Sequence, residues 1–154
     1  IDLPALDQAY LAVQKEVHPD RHARGSESEQ RIAMQMAALA NTAYQILKNP
    51  IQRGLYLCQL NGVDAKLETN TAMPAAFLMK QMEWRESLDE KAEDLAALEA
   101  LMEEVETSKQ DTLLEITQAL DQAHNYVRAA ELLRGLLFID KFAIELDDAI
   151  AVLV

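Results

Sequence analysis

Only eight of the 154 residues are outright helix breakers: prolines 4, 19, 50 and 74 and glycines 25, 54, 62 and 135. That is about 5% of the chain, against roughly 12% in average usage. Breakers this sparse leave stretches too long for a fold of short strands and frequent turns, so the sequence predicts an all-α protein. Each breaker then serves as punctuation. A first helix is expected from about Leu3 to Val17, with Asp2 as N-cap and Pro4 in the first turn, where its missing N–H costs little. Leu6, Tyr10, Val13 and Val17 recur at helical spacing and predict one buried stripe. Pro19 stops this helix. Ser26 and Glu29 form a capping-box pair that opens a second helix, whose stripe is Ile32, Met36, Leu39, Ala43 and Ile46. It must end before Asn49-Pro50, because a residue ahead of proline avoids the helical region. Two amphipathic helices joined by so short a loop are expected to pair as an antiparallel hairpin. A short third helix, about Ile51 to Leu60, follows.

Beyond Pro74 the pattern predicts helices near 75–91, 94–120 and 124–151. Leu95, Leu98, Leu101, Met102 and Val105 mark the middle one, and Leu132, Leu133, Leu136, Leu137, Ile139 and Phe142 the last. Three such stripes bury a shared core only as a bundle. Asn61-Gly62 and the polar run Glu68-Thr69-Asn70-Thr71, ending at Met73-Pro74, carry turn residues and no stripe. The expected organisation is a helical domain over 1–60, a linker over 61–74 and a three-helix bundle over 75–154. Charge separates the two ends. The formal net charge is −12, yet residues 1–74 hold 7 basic and 8 acidic residues and residues 75–154 hold 7 and 18. So acidic a balance makes nucleic acid or an anionic membrane surface an unfavourable partner, and no apolar run approaches the roughly 20 residues needed to span a bilayer. The single cysteine, Cys58, excludes an intrachain disulfide and any multi-cysteine metal site. The chain opens at Ile1 without a methionine, so its native start is expected to lie upstream.

The loop between the paired helices reads His18-Pro19-Asp20-Arg21-His22. Proline ends the preceding helix at a fixed φ, which leaves the flanking His and Asp exposed at a hairpin tip. Such tripeptides also occur by chance in polar loops. Here, however, Asn41-Thr42-Ala43-Tyr44-Gln45-Ile46-Leu47, then Pro50, Arg53 and Tyr56, follow downstream. In that setting the chain resembles a J-domain, the module of DnaJ-type co-chaperones. The resemblance implies that the loop docks on a heat-shock chaperone and stimulates its ATP hydrolysis, and that such a protein hydrolyses nothing itself. It assigns chaperone binding to His18, Pro19 and Asp20, with Lys15 and Arg21 beside them. The Asp20 carboxylate would meet an arginine of the partner, a charge-assisted contact that a neutral side chain cannot replace. Typical members begin with a short helix packed across the hairpin, and here the resemblance starts after it. They also present several basic residues ahead of the motif. This helix offers only Lys15, with Arg21 and Arg24 in the loop, so weaker electrostatic steering is expected.

The helix after Pro74 has two apolar faces. At 100° per residue, Phe77, Trp84 and Leu88 fall within about 40° of each other, a core face. Leu78, Met79 and Met82 lie on another side, rimmed by Arg85 and by Glu83, Glu86 and Glu90. One helix of a three-helix bundle rarely buries both, and an apolar stripe rimmed by charge marks a protein-binding patch; the plain alternative is that the Met/Leu stripe is core. Ala76-Phe77-Leu78-Met79, Glu83-Trp84-Arg85-Glu86-Ser87-Leu88-Asp89-Glu90 and Leu136-Leu137-Phe138-Ile139-Asp140-Lys141, following a J-domain, resemble the HscB family of iron–sulfur biogenesis co-chaperones. That resemblance covers essentially the whole chain. It implies that the bundle holds the scaffold protein IscU and brings it to the chaperone HscA, through Leu78, Met79, Met82, Glu83, Arg85, Glu86, Glu90 and Phe138. Unbranched methionines suit such a surface because they adapt to a partner's contour.

Other readings stand beside this one. His18 and His22 have the i,i+4 spacing of helical zinc sites, but Pro19 prevents a regular helix through them and no nearby third ligand has a clear role. No metal or other cofactor is expected. Cys58, among Leu55, Leu57 and Leu60, reads as a small buried hydrophobe, and His124, near a helix start, as solvated. The chain carries no Ser/His/Asp arrangement and no phosphate-binding glycine loop. A general J-protein that binds unfolded segments, a purely structural helical interaction module, or a His-based metalloenzyme remain the alternatives. Without a visible zinc finger or transit peptide, the bacterial cytoplasm is the expected location.

Overall fold

The computed structural model describes residues 1–65 and 73–154. Among the described residues there are six α-helices: α1 (Leu3–Val17), α2 (Glu27–Lys48), α3 (Pro50–Leu60), α4 (Ala75–Glu90), α5 (Leu95–Thr117) and α6 (Tyr126–Leu153). No strand occurs among the described residues, and the all-α expectation holds. Local chemistry sets the helix ends as the sequence suggests. The Asp2 carboxylate accepts from the Ala5 N–H at 3.0 Å, and Ser26 and Glu29 form a reciprocal capping box. At α5 and α6 the caps are Asp94 and Asn125. The polar stretch Glu68–Thr71 and half of the expected linker fall on residues 66–72, outside the described residues.

The chain divides into two units, Ile1–Arg53 and Gly54–Val154. The division therefore falls inside α3, rather than in the stretch 61–74 that turn chemistry singles out.

The first unit is the antiparallel hairpin of α1 and α2. Its seam is polar and aromatic rather than aliphatic. The Tyr10 and Tyr44 rings stack with centroids 4.1 Å apart. Tyr44 donates its hydroxyl hydrogen to Asp7 at 2.7 Å and receives a hydrogen bond from the Lys48 ammonium at 2.7 Å. Tyr10 donates to Asn41 at 3.1 Å. This corrects the expected buried stripe on α1. Leu6, Tyr10 and Val17 are only half-buried and Val13 is exposed, because the seam passes through Asp7, Tyr10 and Gln14 instead. On α2 only Ala33 is fully buried and Ile46 is half-buried, while Ile32, Met36, Leu39 and Ala43 of the expected stripe face solvent. A helix with one neighbour covers one side only.

The second unit holds the larger core. Leu98, Leu101 and Val105 of α5 meet Leu133, Leu136, Ile139, Phe142 and Leu146 of α6, all buried. Burying each large apolar side chain contributes about 1.5–3 kcal/mol, so these residues dominate the unit's stability. Helices α5 and α6 run antiparallel, with Lys109 on Asp140 at 2.7 Å and Arg128 on Glu115 at 3.2 Å. The chain reverses between them through a widened π turn at Gln118–Gln122 and His124, whose φ of 50° is left-handed. His124 is exposed, as expected, with its ring Nδ1 on the Leu120 carbonyl at 3.1 Å. α4 runs parallel to α6: Phe77 packs at Gly135, Trp84 stacks on Phe142 at 5.6 Å, and Arg85 pairs with Glu145 at 3.1 Å. Cys58 on α3 is fully buried, its thiol directed at the Tyr126 carbonyl, and burial pushes its pKa up.

Two helical glycines make contrasting tests of this packing. A Cβ on Gly54 would sit 3.0 and 3.1 Å from the methyls of buried Leu133, whereas one on Gly135 would meet the Phe77 ring at 3.4 Å or more. Helix propensity favours alanine over glycine by up to about 1 kcal/mol, while overpacking costs about 1–3 kcal/mol. Gly54→Ala should therefore destabilise the second unit by about 1 kcal/mol, and Gly135→Ala should leave it unchanged or more stable. Urea unfolding followed by the fluorescence of Trp84, the single tryptophan, reads both.

Candidate functional site

Two surfaces gather the chemistry read from the sequence, one in each unit. In the first, α1 ends where Pro19 forbids its continuation, and Pro19–His22 forms one 3-10 turn. His18 takes the extended backbone that precedes a proline (φ −59°, ψ 128°) and caps that turn: its ring Nδ1 accepts from the Asp20 backbone N–H at 3.3 Å. That bond requires the tautomer with an unprotonated Nδ1. The Asp20 side chain is 92% exposed, with the His18 ring nitrogen 3.6 Å from its carboxylate. The loop therefore presents one carboxylate to solvent from a backbone with two local ties.

The neighbours differ from one another. Lys15 is exposed in the last turn of α1. Arg21 does not simply extend into solvent, since its Nη1 donates to the Lys15 carbonyl at 2.8 Å. The His22 ring sits 3.1 Å from the Glu16 carbonyl, donating from Nε2. His18 and His22 thus have different partners, the Asp20 backbone N–H and the Glu16 carbonyl. Where the loop enters α2, Ser26 N–H donates to the Glu29 carboxylate at 2.7 Å and Glu29 N–H donates back to Ser26 Oγ at 3.3 Å. These bonds, backbone first, lower the Glu29 pKa.

In the second unit, Trp84 is 2% exposed. Its indole stacks on Phe142, and Nε1 donates to the Glu104 carboxylate at 2.8 Å. Phe77 and Leu88 share this inward face, each half-buried. The other face stays open: Leu78 is 42% exposed, and Met79 and Met82 are 62% exposed. Glu83, Glu86 and Glu90 are exposed around them. Phe138, also on the surface, lies one turn along α6 from Gly135, the residue that Phe77 contacts. The plain-core reading of the Met/Leu stripe is thereby overturned. Arg85 is held by Glu145 and lies 5.8 Å from the Phe142 ring centre. Sequence reading missed Glu145, because nothing in the pattern states the register between α4 and α6.

The chain is similar to known proteins in sequence and in fold. Residues 73–147 match the HSCB C-terminal oligomerisation domain. The chain is 45% identical over 146 residues to the co-chaperone protein HscB homolog of Bordetella avium, covering 95% of this chain and 87% of that protein. The chain belongs to the HscB family of co-chaperones. The HscB homolog of Burkholderia mallei is likewise 45% identical, over 148 residues, covering 95% of this chain and 84% of that one. Among solved structures, the chaperone HscB from Vibrio cholerae superposes with a TM-score of 0.85 at 35% identity, covering all of this chain and 91% of that one. The human co-chaperone protein HscB gives 0.87 at 28% identity, covering 96% of this chain and 74% of that one. Among the described residues of this HscB-family chain, no helix is long and apolar enough to cross a membrane.

The capping box that ends the loop carries a pH signature. Because the folded-state pKa of Glu29 is depressed, its contribution is present above the ordinary carboxylate value and disappears as pH falls through the lower, folded one. Protection of the Ser26 and Glu29 amides against hydrogen exchange should fall over that acidic window, and Glu29→Gln should remove the pH dependence.

Proposed function

We propose that this HscB-family chain stimulates the ATPase of an HscA-type chaperone through His18-Pro19-Asp20 while its second unit carries an IscU-type scaffold to it, serving iron–sulfur cluster assembly. The observation that carries the reading is the pairing, in one chain of this family, of a 92%-exposed Asp20 carboxylate on a fixed hairpin turn with an open Leu78/Met79/Met82 face on α4. A carboxylate held in that way suits a single charge-assisted contact with a partner arginine. An exposed apolar stripe rimmed by carboxylates suits a protein partner, and its unbranched methionines adapt to that partner's contour.

In this reading His18, Pro19 and Asp20 are the chaperone-contacting residues, with Lys15 adding charge at the end of α1. Leu78, Met79, Met82 and Phe138 supply apolar contact to the scaffold, with Glu83, Arg85, Glu86 and Glu90 as its polar rim. Arg85 comes pre-ordered by Glu145, an exposed pair that is itself worth only about 0.2–1 kcal/mol; its use lies in orientation. Carrying both sites on one chain raises the scaffold's effective concentration at the chaperone, with no further contact required. The bacterial cytoplasm fits the bacterial relatives.

Two variants separate the two halves of the proposal. Asp20→Asn removes charge without changing shape, and should abolish ATPase stimulation while scaffold binding persists. Leu78→Ala combined with Met82→Ala should weaken scaffold binding at least tenfold, the equivalent of about 1.4 kcal/mol. As both side chains face solvent, its melting temperature should stay within a few degrees of wild type. Normal stimulation by the first variant, or wild-type scaffold affinity in the second, contradicts the corresponding half.

A further inference from the structure

The loop that carries Asp20 is tied down by side chains from outside the His-Pro-Asp triplet. Arg21 donates to the Lys15 carbonyl at 2.8 Å and His22 to the Glu16 carbonyl at 3.1 Å. Both carbonyls lie in the last turn of α1, where no helical N–H remains to meet them. The loop is thus fastened back to the helix it leaves. On the other side stands Gln30, in the first turns of α2 and half-buried. Its amide nitrogen donates to the Ala23 carbonyl at 3.2 Å and to the Gly25 carbonyl at 3.0 Å. A primary amide has two N–H hydrogens, and this one commits both to the loop backbone. Between these fastenings the backbone turns through Arg21 N–H to His18 O at 3.0 Å and Gly25 N–H to His22 O at 2.9 Å.

We propose that Arg21, His22 and Gln30 are positioning residues for ATPase stimulation: by holding carbonyls on both sides of the loop, they keep the Asp20 carboxylate in the one outward presentation that a partner arginine can use. The proposal rests on the reading of the loop given under Proposed function and deepens it. A loop that must become ordered at the moment of docking binds more weakly by the fraction of time it spends in the competent form. These bonds run from side chains to backbone, so their loss frees the loop without unfolding either helix. Gln30 isolates the effect best. Gln30→Glu keeps shape and helix propensity, but it removes both donors and sets carboxylate oxygens against two carbonyl oxygens. Arg21→Ala removes a charge as well as a tie, so its positioning role is read in the exchange of the loop amides, which a mere charge contact would leave unmoved.

The test uses the full chain as wild type, Gln30→Glu and Arg21→Ala. Amide hydrogen exchange is followed alongside titrations of an HscA-type chaperone's steady-state ATPase. With Gln30→Glu, exchange at Arg21 and Gly25 should quicken while the interiors of α1 and α2 stay protected. The concentration for half-maximal stimulation should rise about tenfold, as expected for two lost hydrogen bonds, with the maximum at saturation unchanged. Arg21→Ala should quicken exchange of the amide at position 21 and raise the half-maximal concentration. Unchanged exchange and half-maximal concentration in Gln30→Glu would overturn the proposal, as would a lowered maximum with the half-maximal concentration unmoved. Unchanged loop exchange in Arg21→Ala with a raised half-maximal concentration would overturn it for Arg21 and make that residue a charge contact. A wild-type chain that leaves the ATPase unmoved would sink the underlying reading of the loop, a failure distinct from the others because it precedes any variant.

Discussion

The placement of the Trp84 indole decides what the second unit can offer a partner. With its ring against Phe142 and its N–H on Glu104 at 2.8 Å, α4 cannot rotate about its axis without stranding a buried indole N–H. An unmet buried donor costs about 1–3 kcal/mol, and losing the ring contact adds to that. The helix is therefore locked with Phe77, Trp84 and Leu88 inward, and Leu78 and Met82 have no choice but solvent. A soft apolar surface is normally unsafe on a free protein; here the exposed carboxylates of Glu83, Glu86 and Glu90 rim it with charge.

The first unit solves a different problem by the same economy. It has almost no aliphatic core, with Ala33 and Ile51 its only buried apolar residues among those described. A stacked tyrosine pair and a polar network through Asp7, Asn41 and Lys48 hold the hairpin in register. The Tyr44 hydroxyl and the Asp7 carboxylate hold the Lys48 ammonium in its charged form, above its ordinary pKa. A hairpin so joined delivers a short loop at its tip, and helix-end chemistry does the rest. Unmet carbonyls at the end of α1 take Arg21 and His22, and unmet N–H groups at the start of α2 take Ser26 and Glu29.

Much of this was legible in the sequence because breakers and caps act locally. Asp2, Pro19, Ser26 with Glu29, and Asn49-Pro50 set helix ends that the structure reproduces within a residue or two. The two faces of α4 were legible for the same reason, since helical periodicity alone separates Trp84 from Met82. What escaped depends on which surfaces meet. The apolar periodicity of α1 and α2 suggested an aliphatic seam, yet Tyr10 and Tyr44 supply the contact and leave Val13, Ile32 and Leu39 exposed. No pattern in the chain announces that α4 and α6 run parallel, so Glu145 could not be assigned to Arg85. Nor does spacing reveal that Gln30 reaches back to Ala23 and Gly25, which needs the course of the loop itself.

In the function we propose, one chain couples two events, docking at a chaperone through Asp20 and holding a scaffold through the open face of α4. The most direct measurement is the steady-state ATPase rate of a purified HscA-type chaperone with this protein alone, with an IscU-type scaffold alone, and with both. Because tethering raises the scaffold's local concentration, the combined stimulation should exceed the product of the two separate effects at sub-saturating concentrations. It should fall back to that product when Leu78 and Met82 are both alanine. A combined rate no greater than the separate effects predict, or one indifferent to those two side chains, would contradict the account.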